Sequence, residues 1–474
     1  MIQASKMSPD QLLEVENDER FLNLDCPDTG VPAWPAIRND FFRVIITERL
    51  YRGAAPPGSA DKLSLKKVSE SAIRSRLDRI AHRQVPSPIL LRASGVGLVP
   101  RSGKLFNRLC DYFTDELADR YWLLESVARD NWPRGQRYAR RVSFTGDLRL
   151  ATALGARIGR RPVHMQLARE LIALAASRAR AVLGFDLSDT RARALTKTCA
   201  KRLSTYRFQS FYFKRLFNRL GTRLALVEEG CYGHMAVFNT VAHRHDITIA
   251  EFQHGWVSPG HDAYNFGAIV RESQAFRDAL PDVFLGFGDY GNQLFNAPIE
   301  KLAIGNPHRS AELESIRRTE RTTSQTILVL GDGIDTDGYL QTCRELAELV
   351  PEWTIRFRPH PLERARVPAG DHNFEIDPEP DIYASLASCE CVVGEMSTAL
   401  FEAAGITPRV LVWNTPKSRF TLGDHPFETF DDLRDLRACL VSPARGALPP
   451  ATIDSIWAPD WRQRFREFVS SRCP

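Results

Sequence analysis

The chain has 474 residues, of which 43% are hydrophobic and 26% charged, enough ordinary globular stock to bury two cores. Lys and Arg number 63 against 58 Asp and Glu; so small an excess, spread along the chain, argues against a dedicated nucleic-acid binder while allowing weak attraction to an anionic membrane surface. Nine cysteines are scattered, and the lone C-x-C at Cys389 and Cys391 makes neither a zinc site nor a disulfide framework, so reduced thiols in a cytoplasmic protein are expected. No apolar core of a signal peptide and no run of membrane-spanning length is read.

Residues 1–87 read as a mostly helical or irregular extension. They hold a helix at 39–51, a loop at 54–60 and an amphipathic helix at 69–84. A first α/β domain is expected over 88–307, opening on a strand at 88–93, with a helix at 111–119 and a second strand at 121–125. Residues 148–204 are rich in Ala, Leu and Arg and read as helix, interrupted near 159–162 and 184–188. Residues 201–223 mix basic and aromatic side chains. Such a helix could lie on a membrane surface or clamp an anionic acceptor, but the favoured reading packs Phe208, Tyr212 and Leu216 on a sheet with the arginines solvated. Strands follow at 224–227, 247–252, 284–287 and 302–304, with a helix at 231–241.

The polar stretch 308–325 reads as an interdomain linker. A second α/β domain is expected over 326–452. Its strands lie at 326–330, 354–357, 391–394 and 409–413, with a short last one at 440–441; a C-terminal helix fills 453–474. The acidic run after Gly331 resembles a calcium loop, but its twelfth position is Cys343 counted from Asp332, or Leu346 counted from Asp335. The Glu that loop needs is missing.

Polar residues stand at the strand ends of both halves. In the second, Arg358-Pro359-His360-Pro361 ends one strand in a stiff turn, and Ser397-Thr398 opens a helix after another. A hydroxyl and free N–H groups at a helix start, with a histidine on the neighbouring strand end, suit a nucleotide phosphate. The plain alternative makes Ser397 an N-cap and His360 a turn residue. In the first half, Glu228-Glu229-Gly230 ends one strand and Gln253-His254-Gly255 the next. Adjacent carboxylates raise one another's pKa and could supply a general base, or could form a solvated turn. Ligands of open α/β sheets bind at strand C-terminal ends, so two α/β domains with Rossmann-like parallel sheets facing a cleft are expected.

With those motifs in that order, the chain resembles GT-B glycosyltransferases of bacterial surface-polysaccharide pathways, nearest the capsule polysaccharide biosynthesis proteins. It shares with bacterial sialyltransferases and polysialyltransferases a D/E-D/E-G motif, a His-Pro motif and a Ser/Thr motif, here Glu228-Glu229-Gly230, His360-Pro361 and Ser397-Thr398. Glu251-Phe252-Gln253-His254-Gly255 is similar to a segment of the capsule-type proteins, and the resemblance spans residues 88–440. It implies Glu229 as base, with His254 and His360 also catalytic. Arg358, His360, Pro361, Ser397, Thr398, Glu402 and Gly331 would bind the donor, Glu402 at its ribose. Glu228, Gly230 and Gln253 would lie on the acceptor side. It implies a nucleotide-sugar donor, with CMP-linked donors among the candidates, a carbohydrate or glycolipid acceptor, no cofactor and no essential metal, and it allows peripheral contact with the inner face of the cytoplasmic membrane. A glycerophosphate transferase using a CDP-linked donor, a sugar-nucleotide epimerase and a non-catalytic scaffold share the fold and stay open.

Overall fold

A computed structural model describes residues 7–51, 69–70, 72–73, 75–77, 80, 85–95, 97–126, 135–318, 324–361, 363–368, 370, 372–442 and 448–474. The loop expected at 54–60, much of the helix expected at 69–84 and residues 319–323 of the expected linker lie outside them. The described residues between 69 and 80 are helical.

The strands are β1 (Ile89–Ser94), β2 (Leu98–Arg101), β3 (Lys104–Asn107), β4 (Tyr121–Ser126), β5 (Val142–Phe144), β6 (Leu224–Val227), β7 (Thr248–Phe252), β8 (Val283–Gly286) and β9 (Glu300–Ala303) in the first half. In the second half they are β10 (Ser324–Leu330), β11 (Thr354–Arg358), β12 (Glu375–Ile376), β13 (Cys389–Gly394), β14 (Arg409–Trp413) and β15 (Glu428–Phe430). The first sheet runs β5-β4-β1-β6-β7-β8-β9, the second β12-β11-β10-β13-β14-β15, and every pairing in both is parallel; β2 and β3 form a separate hairpin. The result is two Rossmann-like domains facing a cleft: the parallel α/β domains expected from the alternation of strand and helix, in the GT-B-like arrangement that the resemblance implied.

Both central strand pairs are apolar on both faces, which is why they read as continuous hydrophobic runs rather than alternating ones. Leu90 and Leu91 enter opposite cores of the first domain, and Ile327 and Leu328 do the same in the second. In each sheet the strand order reverses next to the first strand, between β1 and β6 and between β10 and β13. A reversal leaves a crevice at the strand C-terminal ends, where no connecting helix covers the sheet.

Residues 7–51, expected as an extension, are built into the first domain. Trp34, Phe41 and Phe42 are fully buried in its core. The fully buried Glu16 carboxylate accepts from Arg38 Nε at 2.6 Å, Trp34 Nε1 at 2.7 Å and the Gly267 N–H at 2.7 Å. Three other expectations change. The helical stretch near 201–223 is interrupted at Ser204 and Thr205, between the helices Asp189–Leu203 and Tyr206–Leu220. The latter buries Phe213, Leu216, Phe217 and Leu220, keeps Phe208 and Tyr212 only half-buried, and exposes Arg207, Lys214 and Arg215. Within 308–325 lies the helix Pro307–Arg318, since a polar composition denies a strand but not a helix. Residues 440–441 end the helix Leu433–Val441, and the sheet's last strand is β15.

The C-terminal region holds two helices, Pro450–Ile456 and Trp461–Arg472. The second returns to the first domain, where Phe465 packs on Phe113 with ring centroids 4.5 Å apart. Between the domains Trp256 stacks on Phe401, and Trp457 packs on Phe287 while donating to the Phe401 carbonyl at 3.0 Å. Among the described residues no helix is long and apolar enough to cross a membrane.

Candidate active site

Glu228 and Glu229 follow β6, at the reversal point of the first sheet. Glu228 turns inward and is 9% exposed; its Oε2 accepts the Ser94 N–H from the end of β1 at 2.8 Å. Burial pushes its carboxyl up to about 7, and the bonds from Ser94 only partly offset this. Glu229 has left-handed backbone, φ 57°, a conformation that costs a side-chain-bearing residue free energy. Its carboxylate is 41% exposed, with Oε2 3.3 Å from His234 Nε2. Burial raises its proton affinity against the pull of Arg92 and Arg43.

The turn is tight because Gly230 lies against the sheet. A Cβ there would stand 3.0 Å from Val227 Cγ2 and 3.1 Å from Glu251 Oε2. Glu251, fully buried on β7, accepts the Cys231 N–H at 2.9 Å and the Tyr264 hydroxyl, and burial pushes it up to about 7. In the sequence it stands only as the first residue of Glu251-Phe252-Gln253-His254-Gly255. Its signal was a carboxylate inside an otherwise apolar buried strand, a position that must be hydrogen-bonded. His254, two residues beyond β7, stands on the cleft wall with Nδ1 3.5 Å from the Tyr264 hydroxyl; desolvation lowers its proton affinity, so it is neutral at pH 7.

Gln253 departs from its expected place on the acceptor side. It is 2% exposed, donates to the Gly255 carbonyl at 2.9 Å and accepts the Phe287 N–H at 2.7 Å, which ties the ends of β7 and β8 together. Neither it nor Gly230 lines the cleft.

In the second domain Gly331 follows β10 and Ser397 follows β13, at the second reversal point, while His360 follows β11, on the other side of β10. A Cβ on Gly331 would fall 1.8 Å from Glu363 Oε1, so only glycine fits. Glu363 is fully buried, accepts the His360 N–H at 2.6 Å and the Thr336 hydroxyl at 2.9 Å, and so fixes the His-Pro turn; the sequence reading missed it. Burial lowers the proton affinity of His360, against Glu363 and Asp332. Asp332 pairs with Lys417 at 2.5 Å and accepts the Ile334 N–H at 2.8 Å, while Asp335 caps the next helix through the Gly338 N–H at 3.1 Å. The acidic run is thus a loop held by its own carboxylates.

Arg358 was expected at the donor. It reaches the cleft wall, yet its Nη1 serves its own domain through Asp377, the Ser385 hydroxyl at 3.0 Å and the Glu379 carbonyl at 3.0 Å. Ser397 caps the five-residue helix Thr398–Glu402 by accepting the Ala399 N–H at 3.2 Å. The Thr398 hydroxyl accepts the Trp256 N–H at 3.0 Å. Glu402 accepts from the Tyr383 hydroxyl at 3.2 Å, and burial raises its proton affinity.

These parts meet in one interdomain cavity of about 820 Å³. Glu228, Glu229 and His254 line it from the first domain, and Gly331, Arg358, His360, Pro361, Ser397, Thr398 and Glu402 from the second. Across its edge Asp381 stands 3.2 Å from Arg108 and 3.5 Å from His308. Burial works against that carboxylate, but the bond from His308 and its backbone partner hold it down at about 2. This ionic link between the domains was not legible in the sequence.

No family model and no curated protein matches the chain. Among solved structures it is similar to the UDP-GlcNAc 2-epimerase of Methanocaldococcus jannaschii, with 10% identity, 81% of this chain and 99% of that chain covered, and a TM-score of 0.45. It is similar to the UDP-GlcNAc 2-epimerase of Neisseria meningitidis at 9% identity, covering 81% and 99%, with a TM-score of 0.41. It is also similar to the wall teichoic acid polymerase TagF at 10% identity, covering 87% and 94%, with a TM-score of 0.40.

Proposed function

We propose that the chain is a glycosyltransferase that moves a sugar from a nucleotide-activated donor to a saccharide or glycolipid acceptor of a surface polysaccharide. One observation carries this reading: Glu229, held in a left-handed backbone conformation at the reversal point of one sheet, faces the same cavity as Ser397 at the reversal point of the other and His360 at the end of β11. Backbone strain is retained where the side chain's position matters more than its cost.

In this reading Glu229 takes the proton of the acceptor hydroxyl. The acceptor oxygen then bonds to the anomeric carbon as that carbon's bond to the nucleotide phosphate oxygen breaks, and the electron pair leaves with the phosphate. A proton affinity raised by burial makes Glu229 a better base than an exposed carboxylate. A neutral His360 donates one N–H to the leaving phosphate, beside Ser397 and Thr398, and Glu402 faces the donor ribose. The first test is calorimetric titration of the whole chain with CMP, CDP, UDP and GDP. Binding of one of them at micromolar to millimolar affinity is expected, and its base names the donor class; absence of binding by all four removes the proposal.

A further inference from the structure

A second cavity, about 660 Å³, opens behind Glu229, within the usual size of small-molecule sites, roughly 300–1,000 Å³. Its wall carries Arg92, Arg149, Arg157, Arg160 and Lys201, together with His234, and none of its lining side chains is acidic. Arg92, Arg157, Arg160 and Lys201 form no ion pair with a carboxylate among the described residues. Arg157, Arg160 and Lys201 are exposed at the rim. Arg92 sits deeper, on β1 beside Val227 of β6, with its guanidinium over the Phe213 and Phe238 rings at 5.5 and 5.1 Å. Burial lowers its pKa to about 10, which leaves it charged at pH 7. Like charges gathered in a concave wall repel one another and focus a positive potential inward, which an anion relieves.

A side chain of this wall reaches the reaction site. His234 lines the cationic cavity, and its Nε2 lies 3.3 Å from Oε2 of Glu229, which lines the interdomain cleft. Desolvation, with Arg92 and Arg202, keeps His234 neutral, so it adds a hydrogen-bonding group and no charge at this junction. We propose that this cavity is the anionic subsite of the acceptor: the acceptor is a saccharide bearing phosphate or carboxylate groups, held by the arginines so that a neighbouring hydroxyl reaches Glu229. Arginine forks match both anions through paired N–H donors. The inference rests on Glu229 being the base, but the cation cluster stands apart from the nucleotide half of the cleft, so the two can fail separately.

The test uses the whole chain and three saccharide probes: a galacturonate hexamer, a mannose-6-phosphate-bearing oligosaccharide and neutral maltohexaose, each titrated with and without the nucleotide that binds best. The two acidic probes are expected to bind with affinity that falls as salt rises, alongside nucleotide, and maltohexaose at least about tenfold more weakly. R157E/R160E and, separately, K201E change only rim side chains; each should weaken the acidic probes at least about tenfold and leave nucleotide affinity and melting temperature unchanged. Equal binding of acidic and neutral probes, or acidic binding that survives all three reversals, overturns the subsite. Phosphatidylglycerol vesicles that sediment the chain through these same residues, while no saccharide binds, overturn it in favour of a lipid surface. Acidic probes that bind and respond to the reversals in a chain binding no nucleotide support the saccharide site and remove the transfer reading.

Discussion

The Thr398 hydroxyl accepts the backbone N–H of Trp256 at 3.0 Å, across the boundary between the two domains. A residue read from sequence as a phosphate ligand therefore also ties the helix after β13 to the turn after β7. Thr398→Val would leave that N–H without its acceptor and is expected to lower stability by about 1–3 kcal/mol, while Thr398→Ser keeps most of it. Denaturant unfolding of the two variants measures the difference; equal stability of both would mean the bond contributes nothing.

Glu229 gives two linked expectations. Glu229→Gln keeps the shape, removes proton acceptance, and should lower turnover by roughly 10²–10⁴ with nucleotide affinity nearly unchanged. Glu229→Gly removes the cost of left-handed backbone and should leave the chain as stable as before or more stable by up to about 1 kcal/mol, with turnover gone. A variant that is inactive and clearly less stable would make Glu229 a structural residue.

His360 should matter to donor use more than to the fold. His360→Ala is expected to weaken nucleotide binding by about 1.5–3 kcal/mol, with the melting temperature of the ligand-free chain little changed, because Glu363 holds the turn through the backbone of residue 360. A large loss of melting temperature without ligand would contradict this.

Glu228 sets a pH dependence whose sign follows from its burial. Its carboxyl is raised from 4.5 to about 7, so the folded chain binds that proton more tightly than the unfolded chain. The stability this contributes is full below pH 4.5 and is lost as the pH rises through about 7. Glu228→Gln does not titrate and can keep the bond from Ser94. Its stability relative to the parent chain should therefore rise by about 2 kcal/mol between pH 5 and pH 8. Urea unfolding at the two pH values tests it, and an unchanged difference would show Glu228 ionised throughout.

Arg38→Ala should be among the most damaging single changes, costing about 3–5 kcal/mol, because it strands the Glu16 carboxylate in the core of the first domain. A loss under 1 kcal/mol by chemical denaturation would mean that residues 7–51 are only loosely attached.

The sequence alone determined the two parallel sheets, the bounds of most of their strands and the polar residues at the strand ends. Those features are local: a buried parallel strand is an apolar run whatever it packs against, and a Pro-His-Pro or Glu-Glu-Gly turn stops it within a few residues. The edge strands β5, β12 and β15 were missed because two or three residues carry too little pattern. What only the tertiary structure decided was which strand ends meet and which polar groups remain available there. Strand order put Glu229 and Ser397 at two reversal points, and domain packing placed them on one cavity. It committed Gln253 to the backbone of Gly255 and Phe287, and Arg358 to Asp377. It also brought Glu251 to Cys231, Glu363 to Thr336 and Arg108 to Asp381, pairs that lie well apart along the chain. A hydrogen-bonding group's partner is fixed by distance in space, and a single sequence records only distance along the chain.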